Sequence, residues 1–283
     1  MYNLNGKVAL VTGAGGEHGI GRAIATRLAK EGADVIINDI VSNPYADSPT
    51  DWEGAPSVVR EIEVMGRQAL AVLANVSSAE QVDDMVQQGL ERFGKIDILV
   101  NNAASRPGKD RVLVVDLEEA AWDKEMNINA KGTFLCSRAV ARHMIDRGGG
   151  GKIINMSSTS GKQGIARYAA YCASKFAVIG FTQSLAQELA GHRINVNAIC
   201  PAAVHTERTG YIVAALSSED ISPETWWESE HRVQSVEQHK KQVPLGRVGQ
   251  ADDVARTAAF LASTESDYLT GLAITIAGGS LMI

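Results

Sequence analysis

Short apolar segments of strand type alternate with helical patterns along the whole 283-residue chain. Each apolar run is too short for a helix, and each helical pattern repeats its apolar positions every three or four residues. Strands joined by crossover helices form parallel sheets with helices on both faces. The pattern therefore predicts one α/β domain over residues 1–283, built on a doubly wound parallel sheet. The predicted strands are 7–12, 34–39, 69–73, 97–103, 152–158, 194–200 and 272–278, and the longer predicted helices are 79–93, 121–146, 167–190 and 251–263.

Two segments interrupt this alternation. Residues 42–57 combine prolines with Asp, Asn and Ser, which favour turns, so we expect a long loop there. Residues 202–245 mix irregular and helical patterns after a buried strand. Because long segments of this kind are often functional, we expect 202–245 to form a mobile lid over a substrate.

Charge and composition argue against several classes of function. The net charge is −6, so no nucleic-acid partner is expected. No apolar run approaches the ~20 residues of a membrane span, and the N-terminus lacks the basic-then-apolar layout of a signal peptide. The three cysteines, Cys136, Cys172 and Cys200, show no paired spacing. Free buried thiols in a reducing cytoplasm are expected, with neither disulfides nor a metal site.

The first predicted strand runs into a glycine-rich turn, Thr12 to Gly21, and then into a helix. Glycines at such a turn let the backbone approach a pyrophosphate closely and place it on the helix N-terminus. A turn that serves only chain reversal is the alternative. The position of the turn, directly after strand one, favours a dinucleotide site in a Rossmann-type fold.

Asp39 ends the second predicted strand, eighteen residues beyond Gly21. A carboxylate there accepts hydrogen bonds from the adenosine ribose hydroxyls and repels a 2′-phosphate, so the sequence favours NAD over NADP. His18 is the opposing indication, because a basic group in the turn could meet a 2′-phosphate, although imidazole is mostly neutral at pH 7. The alternative for Asp39 is a loop-capping carboxylate.

Tyr171 and Lys175 are four residues apart in a helical pattern, and Ser158 precedes Tyr171 by thirteen residues. The spacing places the phenol and the ammonium on one helix face. A tyrosine normally titrates near ~10, and a nearby cation in a partly dry site favours its ionised form. Such a tyrosine can exchange a proton with a substrate oxygen that a serine hydroxyl holds. The alternative is a core-facing ring beside a solvated amine.

With TG…GIG, NNA, the Ser158/Tyr171/Lys175 spacing and Pro-x-x-Val-x-Thr in this order, the chain resembles the short-chain dehydrogenase/reductase superfamily over residues 5–281. The resemblance implies hydride transfer between a substrate carbinol carbon and nicotinamide C4. It implies that Tyr171 is the acid-base, that Lys175 lowers its pKa and holds the nicotinamide ribose, and that Ser158 orients the substrate. It further implies that Asn129 bends the long helix and holds a proton-relay water.

The resemblance also implies a cofactor site along the sheet edge. The Asn101-Asn102-Ala103 segment steadies the central strands and lines the cofactor cleft, and Val204 and Thr206 grip the carboxamide. The residues expected to bind the cofactor are Gly13, Gly15, Gly19, Ile20, Gly21, Asp39, Ile40, Asn75, Val76, Asn102, Ala103, Tyr171, Lys175, Pro201, Val204 and Thr206.

The chain departs from the family pattern at the adenosine end. Five residues, Ala14 to His18, separate Thr-Gly from Gly-Ile-Gly, where the family usually has three, so the residue that meets each phosphate stays open. Asn75 stands where the family usually has an Asp that accepts from the adenine amine. An amide oxygen still accepts there, but less strongly than a carboxylate.

Family resemblance implies a reaction type and leaves the substrate open. A polar substrate would use Gln163, His205 and Arg208, whereas a flat hydrophobic one would use Trp226 and Trp227. The alternatives are a solvated surface charge for Arg208, and lid packing or a subunit interface for the tryptophans. The residues expected to line the substrate pocket are Arg106, Ser160, Gln163, His205 and Arg208.

We therefore expect a cytoplasmic NAD-dependent oxidoreductase that interconverts a secondary alcohol and a ketone, or a sugar hemiacetal and a lactone, with a sugar or polyol as the favoured substrate. A 3-oxoacyl-thioester or steroid-type reductase is the alternative, and a catalytically silent NAD-binding scaffold is a remote one. The resemblance implies a homotetramer in which the helices near 121–146 and 167–190 pair across subunits.

Overall fold

The computed structural model describes residues 2–45, 50–217 and 226–283. Its strands are β1 (Val8–Thr12), β2 (Asp34–Asp39), β3 (Ala69–Leu73), β4 (Ile98–Asn101), β5 (Gly151–Met156), β6 (Ile194–Pro201), β7 (Val204–His205), β8 (Gly249–Gln250) and β9 (Ala273–Ile276). Seven of them form one parallel sheet in the order β3-β2-β1-β4-β5-β6-β9, and β7 pairs with β8. The predicted doubly wound parallel sheet is confirmed.

Helices cover both faces of this sheet. The α-helices of the described ranges are α1 (Ile20–Lys30), α2 (Ala55–Val64), α3 (Ala79–Phe93), α4 (Glu119–Glu125), α5 (Gly132–Arg147), α6 (Ala169–Leu189), α7 (Glu207–Leu216), α8 (Glu230–Lys240) and α9 (Ala251–Ala262). Their ends follow local chemistry: α3, for example, begins after Ser78, whose side chain accepts from the Gln81 amide, and ends at Gly94 in the left-handed conformation.

Two apolar clusters sandwich the sheet. Ala9 and Val11 of β1 face a cluster built with α1, α2 and α9, whereas Val8 and Leu10 face one built with α3, α5 and α6. Successive side chains of a strand point to opposite faces, so a strand buried on both sides needs a continuous apolar run. This explains why the strands could be located from sequence.

The strand order reverses at β1, since β2 and β4 flank it and β1 precedes both in the chain. Ligands of doubly wound sheets bind in the crevice at the carboxyl ends of the strands beside such a reversal. Thr12, Asp39, Asn101 and Met156 end strands at this edge. The fold therefore gathers both predicted motifs, the glycine-rich turn and the tyrosine–lysine pair, along one crevice.

Several boundaries differ from the prediction. The expected helix 121–146 is α4 and α5 joined by a π-helical segment, Met126–Lys131. The expected loop 42–57 is shorter, because α2 begins at Ala55 with a proline in its first turn, where its missing N–H costs no hydrogen bond. Residues 46–49 of that loop and 218–225 of the expected lid lie outside the described residues. Within the described ranges, every helix is too short or too polar to cross a membrane.

Candidate active site

The glycine-rich turn packs tightly against the end of β4. A Cβ on Gly13 would lie 2.7 Å from the Cα of Ala103, and one on Gly21 would collide with the carbonyl oxygen of Gly13. Asn102 Nδ2 donates to the carbonyl oxygens of Thr12 at 2.9 Å and Gly13 at 2.8 Å. Larger side chains would force these segments apart, so glycine is required at both positions.

The residues that lengthen this turn are held by the loop after β2 and by α7. Trp52 Nε1 donates to the carbonyl oxygen of Gly15 at 2.8 Å. The Tyr45 hydroxyl accepts from the Glu17 amide at 2.9 Å and donates to Glu207 Oε1 at 2.6 Å. Burial and the Glu207 carboxylate raise the pKa of Tyr45, so its hydroxyl stays a donor. The lengthened turn is thus tied to the loop after β2 and to α7.

Asp39 supports the same turn from the end of β2. Its Oδ2 accepts from the Gly15 amide at 2.9 Å, and its Oδ1 accepts from the Ile40 amide at 2.8 Å. Asp39 therefore has the loop-capping role that was the alternative to ribose binding. A carboxylate has about four lone-pair sites, so these two bonds leave it able to accept ribose hydroxyls as well. The His18 ring stacks on Trp227 of the lid, with 3.9 Å between ring centroids.

Other expected cofactor residues follow the same edge. Asn75 Oδ1 accepts from the backbone amide and the hydroxyl of Ser77, at 3.0 and 2.8 Å, so its amide oxygen is already engaged. Val76 is buried beside Gly132. The remaining expected cofactor residues lie at the ends of helices and strands. Gly19 is the N-cap of α1 and Ile20 is its first residue. Pro201 ends β6, Val204 begins β7 and Thr206 is the N-cap of α7.

Tyr171 and Lys175 lie on α6, one turn apart, at the carboxyl end of β5. Lys175 is buried, donates from Nζ to the carbonyl oxygen of Met156 at 2.8 Å, and has Nζ 5.7 Å from the centre of the Tyr171 ring. Ser158 is buried and accepts from the Ser160 amide at 3.1 Å. The structure brings the predicted serine, tyrosine and lysine together, and the solvated-amine alternative for Lys175 is wrong.

The surroundings of Tyr171 favour its phenolate. Burial opposes ionisation, but the positive charges of Arg208 and Lys175, a hydrogen bond from Ser158 and the charge of Arg111 outweigh it, so the pKa of Tyr171 lies below its ordinary value. Burial, opposed by Tyr171, lowers the pKa of Lys175. A phenol whose pKa is lowered in this way exchanges a proton more readily than a free tyrosine does.

Asn129 lies inside the π-helical segment and is buried. Its Oδ1 accepts from the Ser105 amide at 2.8 Å, and its Nδ2 donates to Glu125 Oε2 at 2.6 Å and to Ser174 Oγ at 2.9 Å. Ser174 in turn donates to the carbonyl oxygen of Tyr171 at 2.8 Å. Asn129 therefore ties the long helix to the backbone of the reactive tyrosine, and π-helical turns of this kind are frequent at functional sites.

Comparison with known proteins decides the family. The sequence matches the short chain dehydrogenase family over residues 7–216. The chain belongs to this family. It is 39% identical to a sorbitol dehydrogenase of Cereibacter sphaeroides over 279 residues, covering 99% of each chain. It is 40% identical to a 3-oxoacyl-[acyl-carrier-protein] reductase of Staphylococcus aureus over 276 residues, covering 98% of each. A solved structure of NAD⁺-bound xylitol dehydrogenase superimposes with a TM-score of 0.80 at 32% identity, covering 98% of this chain and 99% of that one.

As a short-chain dehydrogenase, the protein is an oxidoreductase of CH–OH groups that works with a nicotinamide cofactor. The residues present fit such a dinucleotide. The amide of His18, at the start of α1, already donates to the Glu207 carboxylate at 3.0 Å, which shows that the turn presents an amide to an anion. Asp39 lies at one end of the crevice and the Tyr171–Lys175 pair at the other.

Sequence reasoning missed Arg111 in this short-chain dehydrogenase. Arg111 is fully buried, and its guanidinium carbon lies 4.8 Å from the centre of the Tyr171 ring, while that of Arg208 lies 5.0 Å away. Arg111 pairs with its neighbour Asp110. No local pattern marks Arg111, because only the tertiary fold carries the segment after β4 over α6.

The expected substrate-pocket residues divide into two groups. Arg208 reaches the Tyr171 ring and donates to the carbonyl oxygen of Ser105, and Ser160 is buried beside Ser158. Arg106 and Gln163 are exposed, with Arg106 over the Tyr211 ring. The structure therefore places Arg208 against Tyr171, and the surface-charge alternative for Arg208 is wrong.

The aromatic residues of the lid contact one another. Trp226 is buried against Gly210, where a Cβ would lie 2.9 Å from the Trp226 Cβ. Trp227 stacks on both His18 and His205, with ring centroids 3.9 and 4.6 Å away. These contacts fit the lid-packing interpretation of the tryptophans, and they place His205 against Trp227.

Proposed function

We propose that the protein is an NAD-dependent dehydrogenase that interconverts a secondary alcohol of a sugar or polyol with the ketone. The observation that carries the proposal is the group of Ser158, Tyr171 and Lys175, in which the serine and the lysine are buried and positive charge lowers the pKa of the phenol. The carboxylate of Asp39 at the adenosine end supports NAD, because it disfavours a 2′-phosphate. Similarity to a sorbitol dehydrogenase and to NAD⁺-bound xylitol dehydrogenase supports a polyol substrate.

Each residue of the site has its own role in the proposed reaction. The nicotinamide ring, when bound, supplies the hydride acceptor or donor. The Ser158 hydroxyl holds the substrate oxygen, and Tyr171 Oη takes the hydroxyl proton during oxidation and returns it during reduction. Lys175 stabilises the phenolate, and Asn129 keeps Tyr171 in place through Ser174.

The test is the initial rate of absorbance change at 340 nm with NAD and then with NADP, over alditols, aldoses, sugar acids, steroids and 3-hydroxyacyl esters. We expect NAD-dependent turnover of one of the sugars or polyols, with a higher kcat/KM for NAD than for NADP. Turnover only with NADP and acyl esters would overturn the proposal.

A second candidate is a 3-oxoacyl-thioester reductase. It is favoured by the 40% identity to the Staphylococcus aureus reductase over nearly the whole chain. The two candidates differ in the expected cofactor and in the class of substrate. Faster reduction of an acetoacetyl thioester with NADPH than of any keto sugar with NADH would select this second candidate.

We also propose a homotetramer formed through α4–α5 and α6, in a cytoplasmic enzyme. Phe134 and Phe176 of these helices expose 40% and 47% of their surface, whereas Leu135 and Val178 on the same helices are buried in the subunit core. Exposed aromatic residues on long helices are typical of an interface. Sedimentation equilibrium that shows only monomers at micromolar concentration would contradict this assembly.

A further inference from the structure

Two guanidinium groups lie against the Tyr171 ring. Arg111 comes from the segment after β4 and Arg208 from α7, and their guanidinium carbons are 4.8 and 5.0 Å from the same ring centre. Each charge opposes the other, and burial and Arg208 together lower the pKa of Arg111. Like charges are brought together in a buried site when something else compensates them.

Both arginines keep buried donors without a partner among the described residues. These donors are Nε and Nη2 of Arg111 and Nη2 of Arg208. Arg111 is fully buried, so its unpaired donors are shielded from bulk water, and a ligand reaches them only when the segments that cover Arg111 move. A buried donor left unpaired costs ~1–3 kcal/mol, and more when it is charged, so this geometry favours a ligand that accepts several hydrogen bonds.

Charges around the two arginines do not balance. Arg111, Arg208 and Lys175 contribute three positive charges, whereas Asp110 and Glu125 contribute two carboxylates. The Tyr168 ring also lies 4.2 Å from the Arg111 guanidinium carbon, but burial raises the pKa of Tyr168, so it stays neutral and adds no negative charge. Among the residues that the structure describes, one positive charge therefore has no carboxylate to balance it next to Tyr171 while the phenol is protonated.

We propose that Arg111 and Arg208 bind an oxyanion that the substrate itself carries, so that the enzyme acts on an acidic polyol and not on a neutral one. The planar forks of guanidinium groups match carboxylate, sulfonate and phosphate oxygens. The anion ties α7 of the lid to the segment after β4 and sets the secondary hydroxyl against Tyr171 and Ser158. The inference rests on the proposed function and narrows its substrate class.

Matched substrate pairs test the anion site. With NAD, we expect kcat/KM for an aldonic acid such as D-gluconate to exceed that for D-sorbitol by at least ~100-fold, the effect of two charge-assisted hydrogen bonds. Glycerate, 2,3-dihydroxypropane-1-sulfonate and glycerol 3-phosphate, compared with glycerol, distinguish the three oxyanions. Equal kcat/KM for every acid and its neutral counterpart would overturn the proposal.

Single variants test which arginines produce the preference for acids over alditols. Arg208→Gln should reduce the acid-to-alditol ratio of kcat/KM at least ~10-fold, whereas Arg256→Gln, at an exposed arginine of α9, should keep the ratio. Arg111→Gln should act like Arg208→Gln, and Arg208→Gln alone suffices if the buried change prevents folding. Equal losses on acid and alditol in Arg208→Gln would mean that the arginine acts only on Tyr171.

Calorimetric titration separates this proposal from the proposed function. With NADH present, an alcohol binds without reacting, so D-gluconate should bind and D-sorbitol should bind at least ~10-fold more weakly. Gluconate binding that Arg208→Gln abolishes, in an enzyme that turns over no alcohol with NAD, would refute the proposed function and leave the anion site standing. Turnover of neutral alditols without selective binding of acids would support the proposed function and refute the anion site.

Discussion

The Arg208 guanidinium carbon lies 5.0 Å from the centre of the Tyr171 ring. Burial by itself would raise the pKa of Tyr171, but nearby positive charges lower it below its ordinary value. The charge of Arg208 lowers it most, followed by that of Lys175. Arg208 belongs to α7, within the segment expected to form the lid, so the pKa of the Tyr171 phenol depends on the position of α7.

This coupling predicts the pH dependence of Arg208→Gln. Oxidation needs the phenolate, and removing a cation raises the pKa of Tyr171, so the acidic limb of the kcat profile should move to higher pH. Rates of alcohol oxidation from pH 6 to 10 measure the shift. Arg256→Gln, at an exposed arginine of α9 paired with Asp252, is the control. An unshifted limb in Arg208→Gln would show that the arginine does not set the acidity of Tyr171.

Tyr171→Phe should remove turnover. The variant keeps the ring and loses the group that moves the proton, so kcat should fall at least ~10³-fold. The affinity for NAD, measured by calorimetry, should change by less than ~3-fold because the adenosine end is untouched. Tyr168→Phe serves as the matched control and should retain turnover within ~10-fold. Comparable losses in the two variants would refute the assignment of Tyr171.

Asp39→Ser should weaken the preference for NAD. The change removes a negative charge and a ribose acceptor, so the NAD-to-NADP ratio of kcat/KM should fall at least ~10-fold. Asp39 also holds the Gly15 amide, so a small decrease in Tm is expected. A lower Tm with an unchanged cofactor ratio would restrict Asp39 to its capping role.

The sheet and the grouping of Tyr171 with Lys175 could be predicted because their signals are local. Each buried strand is a continuous apolar run, and Tyr171 and Lys175 are related by helical spacing alone. The break in the long helix at Met126–Lys131 left no periodic signature, since a π-helical turn adds one residue without changing the apolar pattern much.

The contacts of the lengthened turn and of Arg111 are long-range. His18 and Glu207 are 189 residues apart, yet the His18 amide donates to the Glu207 carboxylate. Arg111 likewise reaches Tyr171 only through the tertiary fold. Such pairs have no spacing rule, so sequence reasoning identified the lengthened turn and Arg208 without finding what they touch.

Trp52→Phe tests whether the lengthened turn serves the cofactor. The variant loses the hydrogen bond from Nε1 to the Gly15 carbonyl, so the free energy of unfolding should fall by ~1 kcal/mol. The KM for NAD should rise several-fold while kcat stays within ~2-fold, because Tyr171 lies at the other end of the crevice. Trp122→Phe, at a half-exposed position on α4, is the control for loss of an indole. A reduced kcat with unchanged KM would contradict this role.

Asp97 should make the free energy of unfolding depend on pH in the acidic range. Burial opposes the Asp97 charge, but hydrogen bonds from Arg147 and the Val8 amide, together with Lys95, outweigh it and hold the pKa of Asp97 below its ordinary value of 3.8. As pH falls, the unfolded chain therefore binds this proton first, so the stabilisation is complete above about pH 4–5 and is lost as pH falls through the folded pKa.

Urea unfolding at pH 7 should show Asp97→Asn less stable by ~2–3 kcal/mol, since Arg147 loses its partner at 2.7 Å. At pH 3 the difference between variant and wild type should shrink, and a difference that stays constant with pH would mean that packing, and not the charge, accounts for the loss.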